Sequence, residues 1–443
     1  MKKLIVIPLV AAGMMAMTGC SKSPVKETAK VDAINLANLD TTVAPGTDFY
    51  EYACGGWIKN NPLKPEYSRF GTFDQLNEDN QEQLRTLINE LGTTPQEDGS
   101  VAQKIGMLYE MGLDSIKLNK DGMAPVKEQL EAIQRLGTKA DVAKMVAVLH
   151  KEGMAPFFAL FVDADEKNSS MNIVQMYQAG LGMGDRDYYL LDDEATVKVR
   201  DAYKQFIKQL FTLTGASPEQ ADAAVNAVMK IETGIAEISF SREDLRDTQK
   251  NYNKIKLEEF KARNNPLDWD VYFESMGLME IEYLDAKQLP FYDALGEFMK
   301  NVSIDEQKYY LAFNLLNAGA PYLSDDFVSA EFDFYGKIMS GKQEQKPRWK
   351  RSLSTVNDAL GEAVGQMYVT KYFPASSKEK MLELVGNLQK ALSERIAGLE
   401  WMSDETKVKA QEKLSAFVVK IGYPDKWRDY TALEIKDDSY WAN

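Results

Sequence analysis

Residues 45–57 read Pro-Gly-Thr-Asp-Phe-Tyr-Glu-Tyr-Ala-Cys-Gly-Gly-Trp, and residues 68–73 read Ser-Arg-Phe-Gly-Thr-Phe. The aspartate and the aromatic residues of the first segment are typical of turns and packing rather than of chemistry. The Gly55-Gly56 pair permits backbone conformations or close approaches that a side chain would forbid. The residues of the first segment are therefore expected to have structural roles, and the candidate for chemistry lies in the second segment.

Arg69 is the residue of the second segment whose chemistry suits ligand binding. Its planar guanidinium stays charged at any working pH and can bind a carboxylate through two parallel hydrogen bonds. The alternative is a structural ion pair with a nearby acid, such as Asp74 or Glu78. Both interpretations of Arg69 stay open on the residues alone.

Both segments resemble the entry segment of the neprilysin family of zinc metallopeptidases, which includes the endothelin-converting enzymes and bacterial oligopeptidase O. Those enzymes read Asp-Phe-Tyr-x-Tyr-x-Cys-Gly-Gly-Trp and then Ser-Arg-x-Gly-x-Phe. Further similar motifs follow in family order at residues 180–189, 349–351, 363–368, 399–402 and 420–425. The resemblance covers residues 45–443. It implies that Arg69 faces a cleft and helps to hold the carboxylate end of a peptide substrate.

The zinc chemistry implied by the resemblance has no visible site in this sequence. The family motif His-Glu-x-x-His places two zinc-binding imidazoles on one helix face, with a general-base glutamate between them. The chain has one histidine, His150, and therefore cannot form the motif. We expect Zn²⁺ in the complete enzyme and none bound by this chain, which is expected to end before the motif and to lack peptidase activity alone. His150 ends an amphipathic run and is predicted to be a helix-end residue with a hydrogen-bonded ring.

Composition narrows the remaining classes of function. Hydrophobic residues make up 44% of the 443 residues and charged residues 27%, as in ordinary globular proteins. The formal net charge of −15 argues against sequence-independent binding of nucleic acid, because such binding needs clustered cations. No phosphate-binding P-loop and no Gly-x-Ser-x-Gly motif is present. The charged run at residues 185–189 could form an acid–base cluster, but a solvated or salt-bridged loop is the favoured interpretation.

The N-terminus has the pattern of an export signal. Two lysines precede an apolar stretch at residues 4–17, which is too short to span a membrane. Cys20 follows in a setting that resembles the bacterial lipobox, so residues 1–20 are predicted to be a lipoprotein signal peptide with Cys20 as the lipidation site. An ordinary secretory signal is the alternative. Residues 21–44 would form a flexible tether, and the bacterial cell envelope, in the periplasm or at the outer membrane, is the expected location. Cys54, the other cysteine, is predicted to be a small buried hydrophobic residue.

The pattern beyond residue 75 predicts a mainly α fold. Residues 217–220, Ser-Pro-Glu-Gln, form a capping box with proline at the first helical position, and they start one helix. Two further helices are predicted to follow Ser376 and Ser403, the last of them running to about residue 421. Their apolar stripes are interpreted as core faces. One β-hairpin is predicted from two β-prone runs, 156–163 and 171–177, that flank a polar turn.

The predicted organisation is that of one part of a two-lobed peptidase. Residues 45–425 would form its N-terminal helical domain, in which 45–75 pack on the catalytic lobe and 76–375 form the covering lobe. Residues 376–443 would lead into the catalytic domain. The implied function is enclosure of short peptide substrates in a secreted zinc metalloendopeptidase, with the C-terminal catalytic half of the same protein as partner. A non-catalytic peptide-binding or nutrient-capture envelope lipoprotein is the alternative.

Overall fold

The computed structural model describes residues 34–93, 95–263 and 266–443. Helices dominate these residues, which confirms the predicted mainly α class. The predicted signal peptide, its lipidation site Cys20 and most of the predicted tether lie outside the described residues. No helix in the described part of the chain is long and apolar enough to cross a membrane.

The described residues form a long series of α-helices and a few strands. The α-helices are α1 (Phe49–Asn60), α2 (Thr72–Leu91), α3 (Val101–Leu113), α4 (Ser115–Asp121), α5 (Ala124–Gln134), α6 (Lys139–Lys151), α7 (Asp187–Leu190), α8 (Glu194–Leu213), α9 (Pro218–Ile238), α10 (Leu257–Ala262), α11 (Trp269–Met276), α12 (Leu289–Met299), α13 (Ile304–Gly319), α14 (Asp325–Glu331), α15 (Arg348–Tyr372), α16 (Ala375–Ala397) and α17 (Asp404–Ser415). The strands are β1 (Phe158–Asp165), β2 (Asn168–Gln178), β3 (Lys254–Lys256) and β4 (Tyr283–Ala286). A π-helix, Phe332–Met339, follows α14 directly.

The chain divides into two compact units. Among the described residues, the small unit contains those up to Pro62 together with Val369–Leu414, and the large unit contains Leu63–Tyr368 and Ser415–Asn443. Arg69 therefore lies in the large unit, whereas α1 and α16 lie in the small one. The predicted assignment of residues 45–75 and 376–443 to a catalytic lobe stays a prediction.

The core of the large unit is built around α9. Ser217 accepts a hydrogen bond from the backbone of Gln220, and the Gln220 side chain caps Ser217 in return, so the predicted capping box is confirmed. Val228, Ile231 and Ile235 are fully buried beneath α8 and α13. Each such side chain contributes about 1.5–3 kcal/mol to folding relative to an exposed one.

The predicted hairpin is confirmed, but it belongs to a larger sheet. Strands β1 and β2 are antiparallel, β2 pairs with β4 in parallel, and β3 completes the order β1-β2-β4-β3. The two added strands, β3 and β4, are only three and four residues long. Segments this short carry too little periodicity to be recognised from sequence.

Two sequence predictions for the C-terminal helices are wrong. Helix α17 ends at Ser415, so Phe417 and Val418, predicted as part of its apolar face, lie beyond the helix and are exposed. The stripe of α16 does not form a core face either. Leu388 is 61% exposed and Leu392 45% exposed, and only Ile396 of this stripe is buried.

In the small unit, helix α1 contains most of the segment 45–57 and accounts for some of its residue types. Asp48 caps the helix by accepting from the Glu51 amide at 2.9 Å. A Cβ on Gly56 would stand 2.4 Å from the Ala37 carbonyl oxygen, so only glycine fits there, as predicted. The aromatic residue Phe49, predicted to pack, is instead exposed, and Cys54 is half-buried rather than buried.

Candidate functional site

Arg69 lies in the loop before α2 and its side chain is exposed. It has no hydrogen-bond or ion-pair partner within the part of the chain that the structure describes. The two acids that could be its structural partners are engaged elsewhere. Asp74 accepts from the Gly71 amide at 2.9 Å as part of the α2 cap, and Glu78 takes part in a separate buried cluster. Arg69 therefore presents an unpaired guanidinium on the surface of the large unit.

The Glu78 cluster fixes the loop that carries Arg69. Glu78 is almost fully buried on α2, where it accepts hydrogen bonds from Lys64 at 2.8 Å and from the hydroxyl of Tyr67. Lys350, from α15, also donates to Glu78 and lies 3.2 Å from Glu66. The cluster thus joins the loop at both Lys64 and Tyr67 to two helices.

The electrostatics of the cluster favour the ionised form of Glu78. Burial alone would raise the pKa of its carboxyl, but hydrogen bonds from Lys350, Lys64 and Tyr67 outweigh burial and lower the pKa to about 2. Burial and the adjacent Glu78 charge raise the pKa of the Tyr67 hydroxyl, which stays a donor at neutral pH. A charged, multiply bonded carboxylate of this kind rigidifies the segment that it holds.

Aromatic contacts support the same loop. The rings of Tyr67 and Phe70 meet edge to face with centroids 5.3 Å apart. The ammonium of Lys64 lies 5.4 Å from the centre of the Phe70 ring. Arg69 therefore stands between two residues whose rings are packed, so its backbone is held while its side chain is exposed.

His150 is a structural residue at the end of α6. Its Nδ1 lies 2.6 Å from the Tyr272 hydroxyl and its Nε2 lies 3.2 Å from the Pro156 carbonyl oxygen. Burial lowers the pKa of His150 to about 4, so the ring is neutral at pH 7. Both ring nitrogens are occupied, which agrees with the predicted helix-end role.

The residues that the structure describes do not fit a catalytic zinc site. Such a site needs three protein ligands and an open position. The described residues contain no group of three or more His, Cys, Asp or Glu side chains arranged to hold a metal ion. Both nitrogens of His150 are already bonded, so these side chains supply no ligand set through which a zinc reaction could run.

The glycine-rich segment at 180–189 encloses a buried acid that sequence reasoning missed. Glu232, on α9, is 1% exposed and accepts hydrogen bonds from the hydroxyls of Tyr189 at 2.6 Å and Tyr203 at 2.9 Å. Burial raises the pKa of Glu232 to about 8. A Cβ on Gly182 would stand 1.9 Å from the Tyr203 hydroxyl oxygen, which explains this glycine. The signal present in the sequence is an acid four residues after Val228, on the apolar face of α9.

The charged residues of the same segment are held by neighbours. Asp185 pairs with Arg242, and Arg186 donates to the Ser239 carbonyl at 2.6 Å. They border a cavity of about 480 Å³ that is open to solvent. The favoured interpretation of a salt-bridged loop agrees with these contacts, and the pairing leaves neither charge available as an acid–base catalyst.

Comparison with known proteins identifies the class. Residues 45–424 match peptidase family M13, and the chain belongs to that family. Endothelin-converting enzyme 1 of Homo sapiens is 30% identical over 482 residues, covering 100% of this chain and 61% of the human enzyme. The expected resemblance to the neprilysin and endothelin-converting enzyme family is thereby confirmed. Family membership also disfavours an unrelated nutrient-capture protein.

Solved structures give the same assignment. The zinc metalloprotease Zmp1 of Mycobacterium tuberculosis, in complex with an inhibitor, is 29% identical with a TM-score of 0.86, covering 93% of this chain and 62% of that one. PepO from Lactobacillus rhamnosis has a TM-score of 0.78 at 20% identity, over 90% of this chain and 63% of that chain, and shares the fold. The chain thus spans less than two thirds of the length of these relatives.

Proposed function

We propose that this chain forms the substrate-enclosing part of a secreted zinc metalloendopeptidase that cleaves short peptides. Arg69 would bind the carboxylate at the C-terminal end of the substrate. The observation that carries this proposal is the unpaired, exposed guanidinium of Arg69 on a loop that the Glu78 cluster immobilises. A fixed loop lowers the entropy cost of binding, because the arginine backbone is already in place before the ligand arrives.

Zinc enters this proposal through the family and not through these side chains. Zinc would supply an activated water for attack on the peptide carbonyl. The ligands would come from residues outside these 443, which include one histidine, already bonded. This chain's own contribution is to enclose the peptide and orient its carboxylate end.

The exposed stripe of α16 supports a further part of the proposal. We infer that the remaining part of the peptidase packs on this helix, in line with the sequence prediction for the helices from residue 376 onward. Met381, Leu384 and Leu388 are each 42–61% exposed, and contiguous apolar surface of this kind is characteristic of interaction sites. The M13 relatives, of which the chain covers 61–62%, contain enough additional sequence to supply such a covering surface.

Location in the bacterial envelope remains part of the same proposal. It rests on the signal-like pattern of residues 1–20 and on Cys20 as the acylated residue. Mass spectrometry of the protein from a bacterial membrane fraction tests it. A diacylated N-terminal Cys20 is expected, and an intact N-terminus or cleavage elsewhere would contradict lipidation.

Peptide binding by the chain tests the role of Arg69. We expect Arg69→Met to weaken binding of a short peptide with a free C-terminal carboxylate about tenfold, because a charge-assisted bidentate contact is lost. Binding of the same peptide with an amidated C-terminus should hardly change. The control is Arg135→Met, directly after the end of α5, at an exposed arginine (68%), and it should affect the binding of neither peptide. Equal losses on both peptides would disprove carboxylate recognition.

The zinc assignment has its own test. The purified chain should contain less than stoichiometric zinc by atomic spectrometry, and added Zn²⁺ should produce no hydrolysis of the bound peptide. One tightly bound zinc per chain would show that a metal site exists within these residues.

A further inference from the structure

A second cavity in the large unit is lined by several positive charges. It has a volume of about 260 Å³ and lies beside the first turns of α15. The cationic side chains in its wall are Lys346, Arg348, Lys350 and Arg351. Four cations around so small a space repel one another unless anions compensate them.

Two of these four cations already have carboxylate partners. Arg348 pairs with Asp325, and Lys350 belongs to the buried cluster described above, where it contacts Glu66 and Glu78. Their charges are therefore neutralised within the protein.

The other two cations lack such partners. Among the described residues, no carboxylate lies within ion-pair distance of Lys346 or Arg351. The ammonium of Lys346 lies 5.6 Å from the centre of the Tyr67 ring, and Arg351 donates through Nε to the Lys346 carbonyl at 3.2 Å. Burial lowers the pKa of both side chains, and the neighbouring cations lower it further. Nearby acids act in the opposite direction, Glu78 and Glu66 on Lys346 and Asp325 and Glu331 on Arg351, but they do not outweigh burial.

The acids in the cavity wall do not pair with these two cations. Asp358 is exposed to solvent, burial raises the pKa of the Glu331 carboxyl, and neither acid forms an ion pair with Lys346 or Arg351 in the described part of the chain. Gln81, from α2, has a buried side-chain oxygen without a hydrogen-bond partner among the described residues. Rotation of that amide by 180° turns its NH₂ group, a double donor, toward the same space.

We propose that this cavity binds a small oxyanion, a carboxylate or a phosphate group, between Lys346 and Arg351. The guanidinium can form two parallel hydrogen bonds with such a group, while the ammonium acts as a second positive charge. The partly enclosed setting strengthens both contacts relative to water. Arg69 is not among the residues that line this cavity, and the proposed site does not depend on the proposed peptidase function.

Isothermal titration calorimetry tests the proposal directly. The protein is titrated with inorganic phosphate and, separately, with acetate, at an ionic strength held constant with chloride. We expect saturable binding of at least one of them. The one that binds more tightly shows whether the site takes a phosphate group or a carboxylate group. Arg351→Gln and Lys346→Gln should each weaken binding about tenfold or more.

Lys342→Gln provides the matched control, because Lys342 carries the same charge nearby but does not line the cavity. It should change the affinity by less than about twofold. Circular dichroism of each variant verifies the helical fold. If Arg351→Gln fails to fold, Lys346→Gln decides the outcome. Absence of saturable binding for both anions, or unchanged affinity in Lys346→Gln, would overturn the proposal.

Discussion

Helices α9 and α16 carry the same kind of apolar stripe but differ in what covers it. In α9, Val228, Ile231 and Ile235 are fully buried against helices of the large unit. In α16, Leu388 is 61% exposed and Leu392 is 45% exposed. The two helices have similar lengths, 21 and 23 residues, so length does not explain the difference.

The comparison teaches that a periodic stripe predicts a face to be buried but not the partner that buries it. The partners of α9 are α8 and α13, which lie in the same compact unit. Helix α16 has a hydrogen-bonded neighbour in α17, where Ser393 and Gln411 meet at 2.8 Å, but most of its stripe is uncovered. Docking of further peptidase sequence on this stripe is part of the function proposed above.

The largest effect should come from the carboxyl buried on α9. Glu232 has a pKa of about 8 when folded and of 4.5 when unfolded. Because the unfolded chain ionises first, the free energy of unfolding should fall as the pH rises from about 4.5 to 8 and level off above that. The expected loss is about 5 kcal/mol. Urea unfolding across this pH range measures it.

Glu232→Gln should remove that part of the pH dependence while keeping acceptance of the two tyrosine hydroxyl bonds. Glu237→Gln, an exposed position on the same helix, is the matched control and should leave the pH profile unchanged. Parallel pH profiles for wild type and Glu232→Gln would show that Glu232 is ionised throughout.

Removal of apolar volume from α9 should be the next largest effect. Ile231→Ala should lower the free energy of unfolding by about 3–4 kcal/mol, because the side chain is fully buried and leaves a cavity. Ile231→Val should cost about 1 kcal/mol. Denaturant unfolding with an unchanged m-value checks both. A loss below ~1 kcal/mol for the alanine variant would place this face outside the core.

The Glu78 cluster should rank just below. Glu78→Gln should cost about 3 kcal/mol, because Lys350 is buried and loses its closest anion. The same variant should weaken binding of a free-carboxylate peptide, since the loop of Arg69 loosens. Asp79→Asn, exposed on the next position of α2, is the control and should change neither quantity. Undiminished peptide binding would show that the cluster does not hold the Arg69 loop in its binding position.

Local features of this chain are predictable because their causes are local. The Ser217 cap and the β1-β2 hairpin depend on residues close together in the sequence. The environment of Arg69 is not predictable in this way. Among the described residues, Arg69 has no partner because Glu78, one of its candidate partners, is bonded to Lys350, and Lys350 lies 272 positions further along the chain. Glu232 was missed for the same reason, since its two tyrosine partners come from other elements.

The oxyanion cavity shows the same limit more clearly. Lys346 and Arg351 lie close together in the sequence, but nothing local indicates that each lacks a carboxylate while two cations between them are paired. Charge pairing is decided by tertiary neighbours, whereas helix caps and turns are decided by the chain itself.

The smallest expected effect tests the central claim, that the α16 stripe lies outside the folded core of this chain. The measurement is the free energy of unfolding of Leu388→Asp in this chain, by urea denaturation. The uncovered stripe predicts a change within about 0.5 kcal/mol, as for other surface substitutions. A loss of ~2 kcal/mol or more would show that the stripe is buried within this chain and would contradict the claim.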